Sequence, residues 1–354
     1  MKEGTIKEIV ELAKWAPSGD NTQPWRFEIL SFDHLAVHGF DTRRDCVYDF
    51  QGHASHIALG ALLENISIAS SIHGLAAEIS MRPDGDEEHP VFDVNFKKKE
   101  GIPKDPLIDH IRSRAVQRRP FSTRPLTSDQ KNALVSSLGK NHEVIWIEGL
   151  SNRIRMAGLL SKAGRLRLTI PEAYEVHRKI ISWDSRYSED RVPDQAIGLD
   201  SLSLILMKKV MASWKRVEFF NRFLMGTMAP RIQLDILPGL GCAAHFIIVA
   251  KNGLETLQDY VDGGRAMQRF WLTATMLGLH LQPEMSPLIF RNYAAGRMAF
   301  SVREGSLVEA QEIASMLDGM TGSASGRAVF MGRTGIAQEP RSRSLRLPFE
   351  RLLK

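Results

Sequence analysis

Ala16-Pro17-Ser18-Gly19-Asp20-Asn21-Thr22-Gln23-Pro24-Trp25-Arg26-Phe27 is the stretch that decides the reading of the chain. Upstream of it, Ile6, Ile9, Val10 and Ala13 fall on one helical face. That helix has to stop at Ala16-Pro17, because proline has no amide for the ladder and restricts the residue before it. Downstream, Phe27-Glu28-Ile29-Leu30 reads as a strand. Between them lies a tight polar loop carrying Ser18, Asn21 and Gln23, short hydrogen-bonding side chains with no catalytic charge. Loops held between rigid elements commonly carry binding groups. These residues suit a planar polar ligand better than acid–base chemistry. Judged on the residues alone, a plain helix-to-strand corner has equal standing.

The pattern Ala16-Pro17-Ser18, Asn21, Gln23-Pro24-Trp25 behind an amphipathic helix resembles the flavin-contacting loop of the nitroreductase family, whose members bind FMN between two subunits. The length and second half resemble the duplicated, single-chain branch of that family. Some members of that branch are reductases of unknown substrate, and others are proposed to sequester flavin. The resemblance spans most of the chain and is weaker around 180–240. It implies an α+β fold: two nitroreductase-like units in one chain forming an intramolecular pseudo-dimer, with antiparallel-dominated sheets flanked by helices.

The residues add an internal repeat. Gly60-Ala61-Leu62-Leu63-Glu64-Asn65-Ile66 runs on to Gly74-Leu75, and Gly264-Arg265-Ala266-Met267-Gln268-Arg269-Phe270 runs on to Gly278-Leu279. Both are glycine-bounded helices passing directly into an apolar strand. The expected division is residues 1–105 for the first half and 106–354 for the second. In the first half, strands are expected at 35–38, 75–81 and 91–96 and a helix over 55–72, with an acidic turn at 84–88 and a solvated linker at 97–101. In the second, the pattern predicts helices over 108–118, 127–138 and 151–167 and strands at 142–148, 243–250 and 328–332. Thr127 and Gln130 form a capping box. The basic residues of 151–167 read as a solvated face. From about 180 to 240 the pattern loosens into an aromatic- and methionine-rich insertion with two helices, either a lid or an apolar pair completing the core.

Arg114 and Arg118 are four apart, so a helix would place them on one face beside Arg119, where two guanidinium forks can grip a phosphate. The resemblance places a basic motif for the FMN phosphate here. Val116 stands where the family usually has a hydroxyl, a loss of about 1 kcal/mol. Arg343 and Arg346, in a basic tail that ends in a short helix, are implied to approach the same phosphate. Pro283-Glu284-Met285-Ser286-Pro287 follows the second repeat helix and strand. The resemblance implies a loop whose amide faces flavin N5, stiffened by the bracketing prolines. Glu284 departs from the small residue common there, with its side chain turned either away or toward substrate. With Pro17, Ser18, Asn21 and Gln23, these are the candidate cofactor-binding residues. No catalytic side chain is assigned, the chemistry residing on the flavin.

Composition sets the remaining bounds. The chain has 354 residues, 43% apolar and 25% charged, enough for two core-forming units. A net charge of +5 without a long basic tract argues against nucleic acid. Two distant cysteines give neither a disulfide framework nor a metal site, and the histidine spacings match no metal motif. Met1-Lys2-Glu3-Gly4 lacks the apolar core of a leader, and no apolar run reaches 18 residues. A cytoplasmic protein with no membrane partner is expected, a monomer with an internal pseudo-dimer or a homodimer. Three functions stand: an FMN-dependent oxidoreductase using NAD(P)H and a small organic acceptor, a flavin-storage protein with little turnover, and a cofactor-free partner protein.

Overall fold

The computed structural model describes residues 4–83 and 85–354. Met1–Glu3, part of the leader reading, and Asp84, the first residue of the expected acidic turn, lie outside the described residues. The first half runs α1 (Thr5–Ala13), β1 (Trp25–Ile29), β2 (His34–Gly39), α2 (His53–Ser70), β3 (Leu75–Met81) and β4 (Val91–Lys98). The second begins α3 (Ser128–Ser137), β5 (His142–Ile147), α4 (Leu150–Thr169), α5 (Pro171–Ile180), then the two-residue strands β6 (Ile181–Ser182), β7 (Tyr187–Ser188) and β8 (Val192–Pro193). It continues α6 (Ser201–Val210), α7 (Trp214–Phe223), α8 (Met228–Arg231), α9 (Leu237–Leu240), β9 (Ala244–Ala250) and α10 (Leu257–Met276). It closes with β10 (His280–Pro283), α11 (Ser286–Ala295), α12 (Ser306–Thr321), β11 (Ala328–Gly335), β12 (Arg343–Ser344) and α13 (Phe349–Leu352).

The fold is α+β. Two antiparallel sheets of four strands have the orders β1-β2-β4-β3 and β5-β9-β11-β10. Each half therefore sets out helix, strand, strand, helix, strand, strand, with α1 matching α3 and α2 matching α10. The second half adds α4–α9 between β5 and β9, and α11–α12 between β10 and β11. The extra helices thus begin at Leu150, well before the 180–240 stretch that the sequence marks.

α2 and α10 form the centre. Their contacts reciprocate at an offset of 204 residues, the difference between Gly264 and Gly60. Gly60 lies against Val261 and Gly264 against Ile57. Glu64 pairs with Arg269 (2.8 Å) and Asn65 with Gln268 (2.7 Å). A Cβ on either glycine would overlap a carbonyl oxygen of the opposite helix. Glycine is there because the backbones touch. Gly60 and Gly264 in the sequence repeat are the trace of this contact, whereas Gly74 and Gly278 end the two helices at positive φ. The main core fills the space between these helices, α1 and the two sheets, with Phe27, Leu59, Leu62, Phe246 and Phe270 fully buried. Each such side chain contributes about 1.5–3 kcal/mol. A second core joins the other face of the second sheet to α4, α5, α11 and α12.

One local expectation fails. Residues 108–118 are not a helix: a 3-10 turn covers Pro106–His110, and the chain then extends to pair Val116 with Leu281. Pro120 and that pairing override the arginine spacing. The tail ends in the expected short helix, α13, and then pairs with the first sheet. Lys354 N donates to Phe27 O (2.9 Å), beside a Phe27–Leu353 bridge on the edge strand β1. The Thr127–Gln130 capping box forms with both bonds.

Candidate functional site

The proline-ended loop after α1 is strained and tightly held. Asp20 (φ 51°), Asn21 (φ 63°) and Gln23 (φ 49°) sit in the left-handed region, at roughly 1–2 kcal/mol each. Such strain persists only where the surroundings over-determine it. Here Asn21 Nδ2 donates to the carbonyls of Glu189 (3.0 Å) and Arg191 (3.3 Å), while its Oδ1 accepts from Arg346 (2.9 Å). Gln23 Nε2 donates to Glu189 O (2.8 Å), and its Oε1 accepts from Leu347 N (2.9 Å). Ser18 Oγ accepts from Gln23 N (3.0 Å). The Asn21 and Gln23 amides are engaged with the protein itself. Rather than standing free for a ligand, as the sequence suggested, they fix the loop's shape.

The loop forms one wall of a cavity of about 610 Å³. Nine of the twelve candidate residues line it: Pro17, Ser18, Asn21, Arg114, Arg118, Pro283, Met285, Arg343 and Arg346. Gln23, Arg119 and Glu284 do not. Gln23 lies fully buried behind the loop. Arg119 is exposed, its carbonyl accepting from Arg333 (3.3 Å). Glu284 turns away from the cavity to bind His245 (2.7 Å) and Arg333 (3.4 Å). Its amide donates to Met331 O (2.9 Å), so a donor from this loop has to come from Met285 or Ser286, which open α11.

The arginines separate into two groups, because the helix that would have aligned 114 with 118 does not form. Arg114, Arg343 and Arg346 converge around Trp15. Arg114 donates to Trp15 O (2.9 Å) and lies over the Trp271 ring (4.6 Å). Arg343 donates to Arg112 O (2.9 Å) and Arg114 O (3.1 Å). Arg346 donates to Ala16 O (2.7 Å). None of the three has a carboxylate partner among the described residues, and the Nε atoms of Arg114 and Arg343 are buried without an acceptor. Burial first, then Arg346 and Arg343, hold Arg114 well below its ordinary pKa. Burial and Arg343 bring Arg346 down to about 9. Mutually repelling cations in a dry place call for an anion.

The second group is Arg118 and Arg167 beside Asp20. Arg118 donates to Ala196 O (3.0 Å). Arg167, which sequence reading set on a solvated face, lines the cavity with its Nε buried and unpartnered. Burial pushes the Asp20 carboxyl up to about 6 against the pull of Arg118 and Arg167. Also in the wall, Tyr48 Oη meets His177 Nε2 at 3.0 Å. Burial, then Arg167, lowers His177 to about 3, so the imidazole is neutral. Gln282 completes the polar lining with a buried, unpartnered Oε1. Tyr48, His177, Arg167 and Gln282 all escaped the sequence reading. They come from four separate stretches, and the periodicity of α4 did not mark Arg167 as a lining residue. Much of the rest is apolar: Ile57 and Ala58 from α2, Met267 and Trp271 from α10, Phe330 from β11, and Leu206, Met207, Phe220 and Leu224 from α6 and α7 and the residue after it. The inserted segment therefore roofs the cavity.

These features can be set beside known proteins. No family model matches the chain. An uncharacterized protein, MT1398 of Mycobacterium tuberculosis, is 26% identical over 302 residues, 83% of this chain and 40% of the relative. "Putative NAD(P)H nitroreductase acg" of the same organism is 28% identical over 124 residues, 34% of this chain and 37% of the relative. The matches thus span about two fifths of these relatives' own lengths. The chain resembles the nitroreductases. A solved nitroreductase-like family protein from Bacillus cereus superposes with a TM-score of 0.36 at 12% identity, covering 71% of this chain and 95% of that one. Among the described residues, no helix is long and apolar enough to cross a membrane, and no group of three or more His, Cys, Asp or Glu is placed to hold a metal ion.

Proposed function

We propose that the chain is an FMN-dependent oxidoreductase of the nitroreductase type, passing hydride from NAD(P)H to a small organic acceptor. The Arg114–Arg343–Arg346 cluster carries this reading. Three clustered guanidiniums without a carboxylate partner, two of them (Arg114 and Arg343) with free Nε donors, suit a phosphate monoester, which guanidinium forks grip with paired hydrogen bonds. The cavity volume lies in the usual range for small-molecule sites. Trp271, Met267 and Phe330, with Pro17, Pro283 and Met285, offer an apolar slot for a flat ring system.

FMN, when bound, supplies the hydride chemistry. The chain's own residues bind, orient and shield. The arginine trio fixes one end of the ligand. The strained loop and the stiff Pro283–Pro287 turn hold their shape without reorganising. Met285 and Ser286 present the positive end of α11 to the cavity, favouring negative charge that develops there. The roof from α6 and α7 excludes water, and Tyr48 keeps its proton on Oη, held against the neutral His177. The halves 1–105 and 106–354 would supply within one chain the interface that a homodimer makes, in the cytoplasm where NAD(P)H is available.

The roof supports a second reading, flavin storage, in which the covered cavity restricts access to donors. Anaerobic addition of NADH or NADPH to the FMN-loaded protein separates the two. Bleaching of the flavin band within minutes is expected of the oxidoreductase. A yellow protein that stays yellow points to storage, and a protein that retains no FMN through gel filtration refutes both.

A further inference from the structure

The roof is unusual on its outer side. Of the 26 exposed large apolar side chains among the described residues, ten lie between Leu202 and Leu237. α6 and α7 bury no residue fully. Leu202 is 79% exposed, Phe223 63% and Phe219 53%, and the two phenylalanine rings lie together at 5.2 Å. Monomeric soluble proteins rarely expose so many large apolar side chains in one segment without a use for them.

The same segment carries the chain's charge excess. Residues 202–237 hold Lys208, Lys209, Lys215, Arg216, Arg222 and Arg231 against two acids, Glu218 and Asp235, so their net charge of +4 is most of the whole protein's +5. Lys209 and Lys215 are exposed and have no ion pair among the described residues. Leu206, Leu224 and Met225 both line the cavity and are at least half exposed, so the apolar patch runs into the cavity mouth.

We propose that the α6–α7 roof is a membrane-docking surface that seats on anionic lipid, with Phe219, Phe223 and Leu202 entering the interface and the cavity mouth facing the acyl region. Short amphipathic helices with lysine and arginine around exposed phenylalanine and leucine bind bilayer interfaces in this way. The charge selects this occupant. A second copy docking through the same patch would bring like charges together, whereas an anionic leaflet is complementary to them. The expectation of no membrane partner came from the lack of a spanning segment, which has no bearing on surface docking. The inference stands whether or not the cavity takes flavin.

The test is co-sedimentation of the full chain with phosphatidylcholine vesicles, with and without phosphatidylglycerol. Partition into the anionic vesicles alone, weakening as salt is raised, is expected. K209Q/K215Q should lower the partition coefficient by about 30-fold, and F219S/F223S by about tenfold or more. Both pairs are exposed, so unchanged circular dichroism should accompany these losses. Failure of the parent protein to partition, or equal partition by the charge variant, overturns the proposal. So does a dimer in light scattering that F219S/F223S dissolves, since the patch is then a self-interface.

Discussion

Replacing Arg114 by methionine should separate what the cationic cluster does for the fold from what it does for a ligand. In the empty protein Arg114 contributes one hydrogen bond to Trp15 O and a contact with the Trp271 ring, at 2.9 Å and 4.6 Å. These are worth about 1.5–3 kcal/mol and about 1–2 kcal/mol. Against them stand the desolvation of the guanidinium and its repulsion by Arg343 and Arg346. Methionine keeps most of the apolar volume. R114M should therefore leave the stability of the empty protein changed by no more than about 1–2 kcal/mol.

The ligand side is larger. An Arg114 Nε with no acceptor, and its neighbouring amino group, can give a phosphate two charge-assisted bonds, about 3 kcal/mol together or about 100-fold in affinity. Thermal unfolding with inorganic phosphate reads this directly. At 100 times its dissociation constant, phosphate stabilises the parent by about 2.7 kcal/mol. At the same concentration the variant should gain only about 0.4 kcal/mol. A variant that responds to phosphate like the parent refutes the assignment. One that loses more than about 4 kcal/mol without ligand shows that Arg114 is a structural group.

Further outcomes follow from the same contacts. G264A should destabilise by about 3 kcal/mol or more in urea unfolding, because its Cβ would meet the Ile57 carbonyl. G319A, with open space around its Cβ in α12, should be neutral or stabilise by up to about 1 kcal/mol. E284Q leaves His245 and Arg333 buried without their carboxylate and should cost about 3 kcal/mol or more at neutral pH. Burial alone would lower the His245 pKa, but Glu284 reverses this and raises it above the ordinary value. The stability this pair supplies is therefore complete below the unfolded pKa and is lost as pH rises through the folded one. Unfolding curves for E284Q should lack that alkaline decline. Asp20 has the same sign in a lower pH window. Its carboxyl is raised to about 6, so the penalty for ionising it is absent below the unfolded value of 3.8, grows between 3.8 and about 6, and is complete above that. D20N should melt higher than the parent above pH 6 and match it near pH 4.

The parts legible in the sequence are those in which one residue type answers a local demand. Gly60 and Gly264 mark where two backbones touch, which no side chain permits. Pro17 and Pro24 bracket a loop that the chain must turn through. The Thr127–Gln130 box follows from two hydrogen bonds within one helical turn. What escaped depends on distant partners. The arginine spacing at 114 and 118 suggested a helix, but Val116 pairs with Leu281 across the fold and extends the backbone. The Asn21 and Gln23 amides looked free because Glu189, Arg191, Arg346 and Leu347 lie far away in the chain. Arg167 looked solvated because its apolar cover comes from elements that the periodicity of α4 does not reveal.

The central claim is that the Arg114–Arg343–Arg346 cluster holds a flavin phosphate, and the most direct measurement compares FMN with riboflavin by calorimetric titration of the purified protein. The two ligands share the ring and differ in the phosphate. The account predicts that FMN binds about 100-fold or more tightly than riboflavin, with the gap narrowing as competing inorganic phosphate is added. Equal affinities, or no binding of either, would contradict it.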